Sequence, residues 1–440
     1  MPENLCDLWL ENVRRSPDAP AVIETEGGRV WSRAQLHAAA ERWQSTLPTG
    51  TGLARRRVAL AEPNGPVWLA VFISLLRAGA VVVPLDPAEP AEVRIATARA
   101  AGASWLWEKG RLQPLAQHAP PRRRDFCLVK LTSGSTGTPR ALVFTHDQMI
   151  ADGRQICSSM GIRPDDLNLG IIPFGHSYGL GNLIVPLLLQ GTPVAAAASP
   201  MPNALAADCA RWKPTIFPAV PTLLRALTLT EVDPAALASL RLVISAGAPL
   251  TAEIAAAFAQ HFGRRIQSFY GSSETGGISF DRTGEASLTG RSVGTPMDGV
   301  RLQFRHGKRF LVESDAVLGT GRHTPPDRAE LNALGELVLL GRTGRTAKIA
   351  GRRVDLGEIE KLLRATPGVG DAYAMLHPSR ADALAAAVTG DISVAELRRQ
   401  LRTRTALWKI PERLLVLPEL PRNARGKIDR RQVEKLLAGS

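Results

Sequence analysis

LVKLTSGSTGTPRALVFTH, residues Leu128–His146, is the stretch whose reading decides the fold. An apolar, strand-like run leads into Thr132-Ser133-Gly134-Ser135-Thr136-Gly137-Thr138, and a helical pattern follows from about His146. Glycines let the backbone take positive φ and approach a ligand closely, and consecutive hydroxyls and bare amides suit phosphate oxygens. On composition alone, an ordinary Ser/Gly turn is the commoner origin of such a segment. The pattern is not Gly-x4-Gly-Lys-[Ser/Thr], which argues against a P-loop NTPase.

Working outward, short apolar runs alternate with longer Ala/Leu-rich periodic stretches. Val58–Ala61, Ala80–Leu85, Leu169–Pro173, Pro193–Ala198, Thr215–Pro218 and Leu240–Ala246 read as buried strands. Pro66–Arg77, Asp147–Met160, Leu180–Leu189, Pro221–Thr228 and Ala252–Phe262 read as helices. This alternation predicts an α/β protein with layered, mostly parallel sheets flanked by helices. After about Gly290 the pattern changes: Val293–Phe304, Arg309–Glu313 and Gly335–Leu340 predict a small β-rich subdomain. Near Arg342–Arg345, glycines and arginines replace the apolar periodicity. The expected division is a large domain over residues 1–341 and a small α+β domain over 342–440, with helices at Leu356–Arg364 and Val394–Thr403 and a strand at Ala383–Val388.

The chain has 440 residues, 45% of them hydrophobic, enough for two or three units at roughly 100–200 residues each. The longest apolar candidate, Val67–Leu85, is broken by Arg77 and Gly79 and reads as helix, turn, strand rather than as a membrane span. MPENLCDLWLENVRR at the start lacks the order of a secretory signal, and Cys6, Cys127, Cys157 and Cys209 are too scattered for a disulfide framework or metal site. A soluble, cytoplasmic protein is expected. The net charge of +13 comes in short arginine clusters, and aromatics are only 5%, so the charge reads as a solvated surface rather than a nucleic-acid interface. Docking of a polyanion is the alternative.

Two further segments carry candidate chemistry. SFYGSSETGGISF, Ser268–Phe280, places an aromatic, small hydroxyls and a carboxylate after a strand-like run. Tyr270 would stack on a base, Ser273 would bond a phosphate, and Glu274 would hold Mg²⁺, a hard cation that wants oxygen ligands. Taken alone, a surface loop is equally credible. LPELPRNARGKIDRRQV, Leu417–Val433, holds Lys427 between Gly426 and Ile428. Such a lysine is usually a solvated charge, and it matters only if something carries it to a developing negative charge.

Taken in order, these segments resemble the adenylate-forming superfamily of acyl- and aryl-CoA synthetases, peptide-synthetase adenylation domains and firefly-type luciferases. TSGSTGTPR is similar to its phosphate loop, SAGAPL (Ser245–Leu250) to its adenine-side turn, and YGSSE (Tyr270–Glu274) to its Tyr-Gly-x-Thr-Glu. GRTGRTAKIAGRRVDLGEIE (Gly341–Glu360) is similar to its hinge and following strand pair, and LPRNARGK (Leu420–Lys427) to its catalytic-lysine motif. The resemblance runs from about Leu8 to Val433. It implies ATP-dependent conversion of a carboxylic acid to an acyl-adenylate, release of pyrophosphate, and transfer to the thiol of coenzyme A or of a phosphopantetheinyl carrier protein. Thr132–Thr138 would hold the β- and γ-phosphates, Tyr270 would stack on adenine, Ser273 would contact the α-phosphate, and Glu274 would bind Mg²⁺. Asp327, with Arg342 beside it, would hold the ribose, and Lys427 would bridge carboxylate and α-phosphate.

The sequence also departs from the family. Arg140-Ala141 stands where Lys-Gly is usual, Pro325-Pro326 precedes Asp327, and Gly344 takes the hinge position usually held by Asp or Lys. The resemblance implies a mobile small domain, exchanging a lysine face for a thioester-forming face. Glycine permits that rotation sterically but anchors neither state through a side chain. These departures support one competing expectation, a non-catalytic nucleotide-binding relative of the fold.

For the acid, IIPFGHSYGLGNL, Ile171–Leu183, is the first expected wall, with His176 as a gating residue. That segment has no carboxylate to pair an α-ammonium, and His176-Ser177-Tyr178 resembles the His-Asn-Tyr of aryl-acid members. Ser177 or Tyr178 would bond a ring hydroxyl, and Val220, Ala246, Gly271, Ser272 and Ile278 complete the expected walls. An aromatic acid is the first expectation and a short or medium acyl chain the second. The basic surface favours a free-standing acidic carrier protein as acceptor.

Overall fold

A computed structural model describes residues 3–47, 52–115, 125–132, 140–342, 346–349, 351–421 and 428–439. Ser133–Thr138 of the expected phosphate loop, the hinge Gly344 and Lys427 lie outside the described residues.

Two large sheets form the α/β region. One has nine strands, in spatial order Thr295–Pro296, Gly276–Phe280, Ile266–Ser272, Leu242–Ser245, Ile216–Ala219, Asn168–Gly170, Val194–Ala196, Pro20–Glu24 and Arg29–Ser32. Its middle is parallel and its edges antiparallel. The other has six, in order Arg111–Pro114, Trp105–Glu108, Arg57–Ala61, Val81–Pro84, Phe126–Thr132 and Arg140–Thr145. It too is parallel inside and antiparallel at both edges. Val81–Val83 and Val243–Ile244 are buried, as unbroken apolar runs covered on both faces must be. The largest core runs from Trp9 through Trp68, Phe144 and Phe174 to Phe280. Small antiparallel sheets follow, and from Ala347 onward a separate apolar core joins helices Leu356–Arg364 and Val394–Arg404 to the sheet of Ala372–His377, Arg380–Thr389 and Arg413–Leu417.

Local chemistry sets the boundaries. Helix His146–Met160 begins on a capping box, in which Thr145 Oγ1 accepts from Gln148 N–H while the Gln148 side chain accepts from Thr145 N–H, and it ends at Gly161 with φ +61°. The expected single helix Leu180–Leu189 is instead a short turn at Ser177–Gly179, a wide π turn at Leu180–Ile184, and a helix from Val185 to Gln190. Pro186 has no N–H to give Asn182 O, and its ring would press on that carbonyl, so the helix widens just before it. The expected strand Val293–Phe304 is cut into Thr295–Pro296 and Arg301–Arg305, with Gly299 at φ +77° between them. No described helix is long and apolar enough to cross a membrane.

Candidate active site

Thr132, Ile171–His176, Ala246 and Ser272 each follow the C-terminal end of a parallel strand or end one, the place where open α/β sheets gather ligands. Two cavities meet there. A slot of about 80 Å³ holds Ser177, Tyr178, Ala246, Gly271 and Ser272 in its walls. A larger chamber of about 220 Å³ holds Thr132 and extends between Trp68, Pro87 and Trp408. Lys130, His176, Ser177 and Ser273 line both.

Most of the expected acid-pocket residues are brought together, with three corrections. The Tyr178 hydroxyl donates to Ile244 O at 3.1 Å and to Ala219 O at 3.4 Å. Its proton is held by backbone at the ends of two parallel strands, so it is not free to donate to a ring hydroxyl, although the Tyr178 ring stays in the wall. Ile278 is fully buried in the main core. Alternation along the strand Gly276–Phe280 gives the slot Gly277 and turns Ile278 away. Val220 does not line the slot; its Cγ1 lies against Gly351.

His176 lies where the cavities join, and the expected close backbone approaches on either side of it are present. A Cβ on Gly175 would meet Pro84 Cβ at 2.6 Å, and one on Gly179 would collide with the Pro173 carbonyl. Burial pushes the imidazole down to about 4, with Arg352 and Lys348 adding to the effect, so the ring is neutral near pH 7. Its Nδ1 accepts from Tyr178 N–H at 3.3 Å, which leaves the proton on Nε2. Ser177 Oγ donates to Ser273 Oγ at 2.9 Å, linking the acid wall to the expected α-phosphate contact.

On the nucleotide side, Tyr270 and Glu274 are buried, and Glu274 O accepts from Leu318 N at 2.9 Å. Asp327 is buried and is the register partner of Arg342 across an antiparallel pair. Buried carboxylates at Glu274 and Asp327 are hard oxygen donors that fit Mg²⁺ and ribose hydroxyls. Among the described residues no group of three or more His, Cys, Asp or Glu gathers. A Mg²⁺ held by Glu274 would leave coordination positions open to phosphate oxygens and water.

The sequence reading missed Lys130, Asp152 and Asn182, which line the slot. Lys130 Nζ lies 3.7 Å from Asp152 Oδ2 and 4.4 Å from the centre of the Phe144 ring. Asp152 Oδ1 also accepts from Gly277 N at 3.1 Å, and a Cβ on Gly276 would run into this carboxylate. The available signals were a lysine inside a buried strand and an aspartate among the apolar positions of a helix. Neither has a local reason.

The C-terminal residues close the site. Gly351 packs on Gly247, where an added Cβ would meet Gly351 Cα at 2.5 Å, and Lys348 and Gly351 reach the slot. Arg352 pairs with Asp86, and Lys409 lies 3.5 Å from Glu89 and 3.7 Å from Glu358.

The AMP-binding enzyme family profile matches residues 9–108 and 98–306. The chain is 28% identical to the probable non-canonical nonribosomal peptide synthetase CymA of Salinispora arenicola, covering 98% of this chain and 6% of that synthetase. It is also 28% identical to a 2-hydroxy-7-methoxy-5-methyl-1-naphthoate–CoA ligase of Streptomyces carzinostaticus, over 74% of this chain and 64% of the ligase. The chain thus spans less than two thirds of both relatives. In fold it is similar to the amide bond synthetase McbA of Marinactinospora thermotolerans, with a TM-score of 0.85, 21% identity and 99% of each chain covered. With the profile covering most of its length, the chain belongs to the AMP-binding enzyme family, the adenylate-forming group that its motifs resemble.

Proposed function

We propose that the protein uses ATP and Mg²⁺ to activate a single-ring aromatic carboxylic acid as its acyl-adenylate and passes the acyl group to the thiol of coenzyme A or a phosphopantetheinyl carrier. The observation that carries this reading is the junction of the two cavities at His176, Ser177 and Ser273. An acid seated in the slot presents its carboxylate at that junction. The chamber gives a thiol access from the other side, past Trp408 and Arg352.

The roles of this chain's residues follow. Ser273, oriented by Ser177, donates to the α-phosphate, and neutral His176 offers Nε2–H to the oxygen of the acyl group. Tyr270 flanks the base, Asp327 holds the ribose, and Thr132 begins the phosphate loop continued by Ser133–Thr138. Glu274 holds Mg²⁺, which when bound neutralises charge on the phosphates. Lys427 supplies the cation that bridges carboxylate and α-phosphate, and fixed charge of this kind in a dry site contributes about 3 kcal/mol or more. The 342–440 unit contributes the Thr346–Asp355 hairpin in the thiol-transfer half-reaction.

The relatives favour an aryl acid, and the slot sets its size. A cavity of about 80 Å³ is smaller than the ~150 Å³ that holds benzene in an engineered protein, so even a single ring fills it and reaches into the adjoining chamber. One ring, with its carboxylate projecting into the junction, is the upper bound. The test is acid-dependent ATP–pyrophosphate exchange across benzoates, cinnamates, naphthoates, fatty acids and amino acids, with Lys427→Ala as control. Exchange with a benzoate, lost in the variant, supports the reading. No exchange with any acid overturns it and favours the non-catalytic alternative.

A further inference from the structure

Lys130 lines both cavities beside His176, Ser177 and Ser273, so it stands at the junction where the acid presents its carboxylate. Its side chain is only 2% exposed and is held from two sides. The centre of the Phe144 ring lies 4.4 Å from Nζ, and Asp152 Oδ2 lies 3.7 Å from it. Asp152 is itself clamped: it accepts from Gly277 N–H, and a Cβ on Gly276 would run into it. At 3.7 Å the pair is beyond hydrogen-bond reach, so the ammonium keeps donor capacity for the cavities. Its charge also acts on the groups around the junction. It helps to hold His176 neutral, and Glu274 in turn favours the charged lysine.

The place of Lys130 in the fold matters as much as its charge. It belongs to the strand Phe126–Thr132 of the six-stranded sheet, whereas Lys427 lies in the 342–440 unit. In the exchange of faces that the family resemblance implies, Lys427 is withdrawn once the adenylate has formed. Lys130 does not leave with it. When a thiol sulfur bonds to the acyl carbon, its proton passes to solvent through the chamber and the carbonyl electron pair moves onto oxygen. That pair returns as the bond from acyl carbon to phosphate oxygen breaks, and AMP departs with the bonding electrons. The acyl oxygen carries full charge only between these two events, where fixed donors are worth most.

We propose that Lys130 and the Nε2–H of His176 together form the oxyanion site for acyl transfer, with Asp152 as the positioning residue that holds the lysine. This rests on the adenylation reading and assigns the cation of its second half-reaction. In the first half-reaction the same oxygen belongs to the carboxylate, and it loses charge as its neighbour attacks phosphorus. Removing Lys130 therefore falls on the KM of the acid rather than on kcat in that step. In transfer the oxygen gains charge, and removal lowers the rate itself.

The experiment measures both half-reactions in the wild type and in two charge-neutral variants, Lys130→Met/Asp152→Asn and Lys130→Gln/Asp152→Asn. Exchange is followed with the best acid of the panel. Transfer is followed as a single turnover from preformed adenylate to pantetheine, the thiol arm common to coenzyme A and carrier proteins. With Met, we expect the KM of the acid to rise about 10-fold or more, as for a lost hydrogen bond to a charged group. Transfer should slow about 100-fold or more. Gln restores an N–H donor without a charge and should recover about 10-fold of that loss. Equal losses of exchange kcat and of transfer, or Met and Gln variants that transfer alike, show that Lys130 only supports the fold and overturn the assignment. So does a wild type that forms adenylate but passes nothing to pantetheine. Undiminished transfer in the Met variant removes this role alone, whereas a wild type that exchanges with no acid removes the adenylation reading and this role together.

Discussion

Lys130 and Asp152 face each other at 3.7 Å with side chains only 2% and 3% exposed, one on the strand before the phosphate loop and the other on the helix after it. The pair ties the two elements that bracket residues 133–139, and its cost is desolvation. Burial pushes the lysine down from its ordinary range, and Asp152 opposes that shift. Buried pairs of this kind contribute little net stability when intact, but removing one partner leaves an uncompensated charge.

Lys130→Met is therefore expected to destabilise the protein by about 3–5 kcal/mol. In Lys130→Met/Asp152→Asn the Asn side chain still accepts from Gly277 N–H and no charge is buried, so most of that loss is recovered. Urea denaturation followed by tryptophan fluorescence measures both. A double variant as unstable as the single one would show that charge compensation is not what the lysine provides.

His176 gives a pH dependence of known sign. Its folded pKa, about 4, lies below the ordinary 6.5 because burial disfavours the imidazolium. The unfolded chain therefore binds the extra proton first. The contribution is fully present above pH 6.5 and is lost as the pH falls toward 4. At about 1.4 kcal/mol per unit, the loss approaches 3 kcal/mol. Against His176→Asn, which does not titrate, the wild type should lose that much more stability between pH 7 and pH 4. Parallel stability curves would place His176 in solvent.

The slot's size makes a prediction that separates this protein from its naphthoate-activating relative. Two-ring acids should exchange about 5- to 150-fold more slowly than benzoates, since overpacking a tight site costs about 1–3 kcal/mol. Ile156 lines the slot, and Ile156→Ala should narrow the difference by enlarging it. A 1-naphthoate rate equal to that of benzoate in the wild type would show that the walls move aside.

The sequence carried much of this architecture because its signals were local. The buried runs at Val58–Ala61 and Val81–Pro84, the proline-started helices Pro66–Arg77 and Pro221–Thr228, and the glycines beside His176 each have a one-segment cause. Asp327 and Arg342 were singled out only through the family resemblance, and the structure makes them register partners. What was not legible was tertiary. No local rule says that Asp152 meets Lys130 across 22 positions, that Tyr178 gives its hydroxyl to two strand ends, or that Pro186 opens a π turn which aims Asn182 inward. A carboxylate was sought only between Ile171 and Leu183, whereas the one in the slot comes from the preceding helix.

The last prediction concerns the small C-terminal unit. The family resemblance implies two orientations of that unit; Gly344 offers no side chain to hold either, and in the structure Arg352 on Asp86, Lys409 near Glu89, and Gly351 against Gly247 hold the present one. These contacts are specific to the arrangement in which the Thr346–Asp355 hairpin closes the slot, so they bias the equilibrium only toward it. The Arg352–Asp86 pair is about one-quarter exposed on each side, which sets its worth near 1 kcal/mol, or about fivefold in population. Asp86→Asn should therefore slow acyl transfer to thiol by about fivefold and leave ATP–pyrophosphate exchange unchanged or faster. Gly344→Pro, which fixes φ at the hinge, should block transfer far more than exchange. Single-turnover transfer from preformed adenylate, measured beside the exchange rate, distinguishes the half-reactions. Equal losses in both would show that these contacts only stabilise the fold.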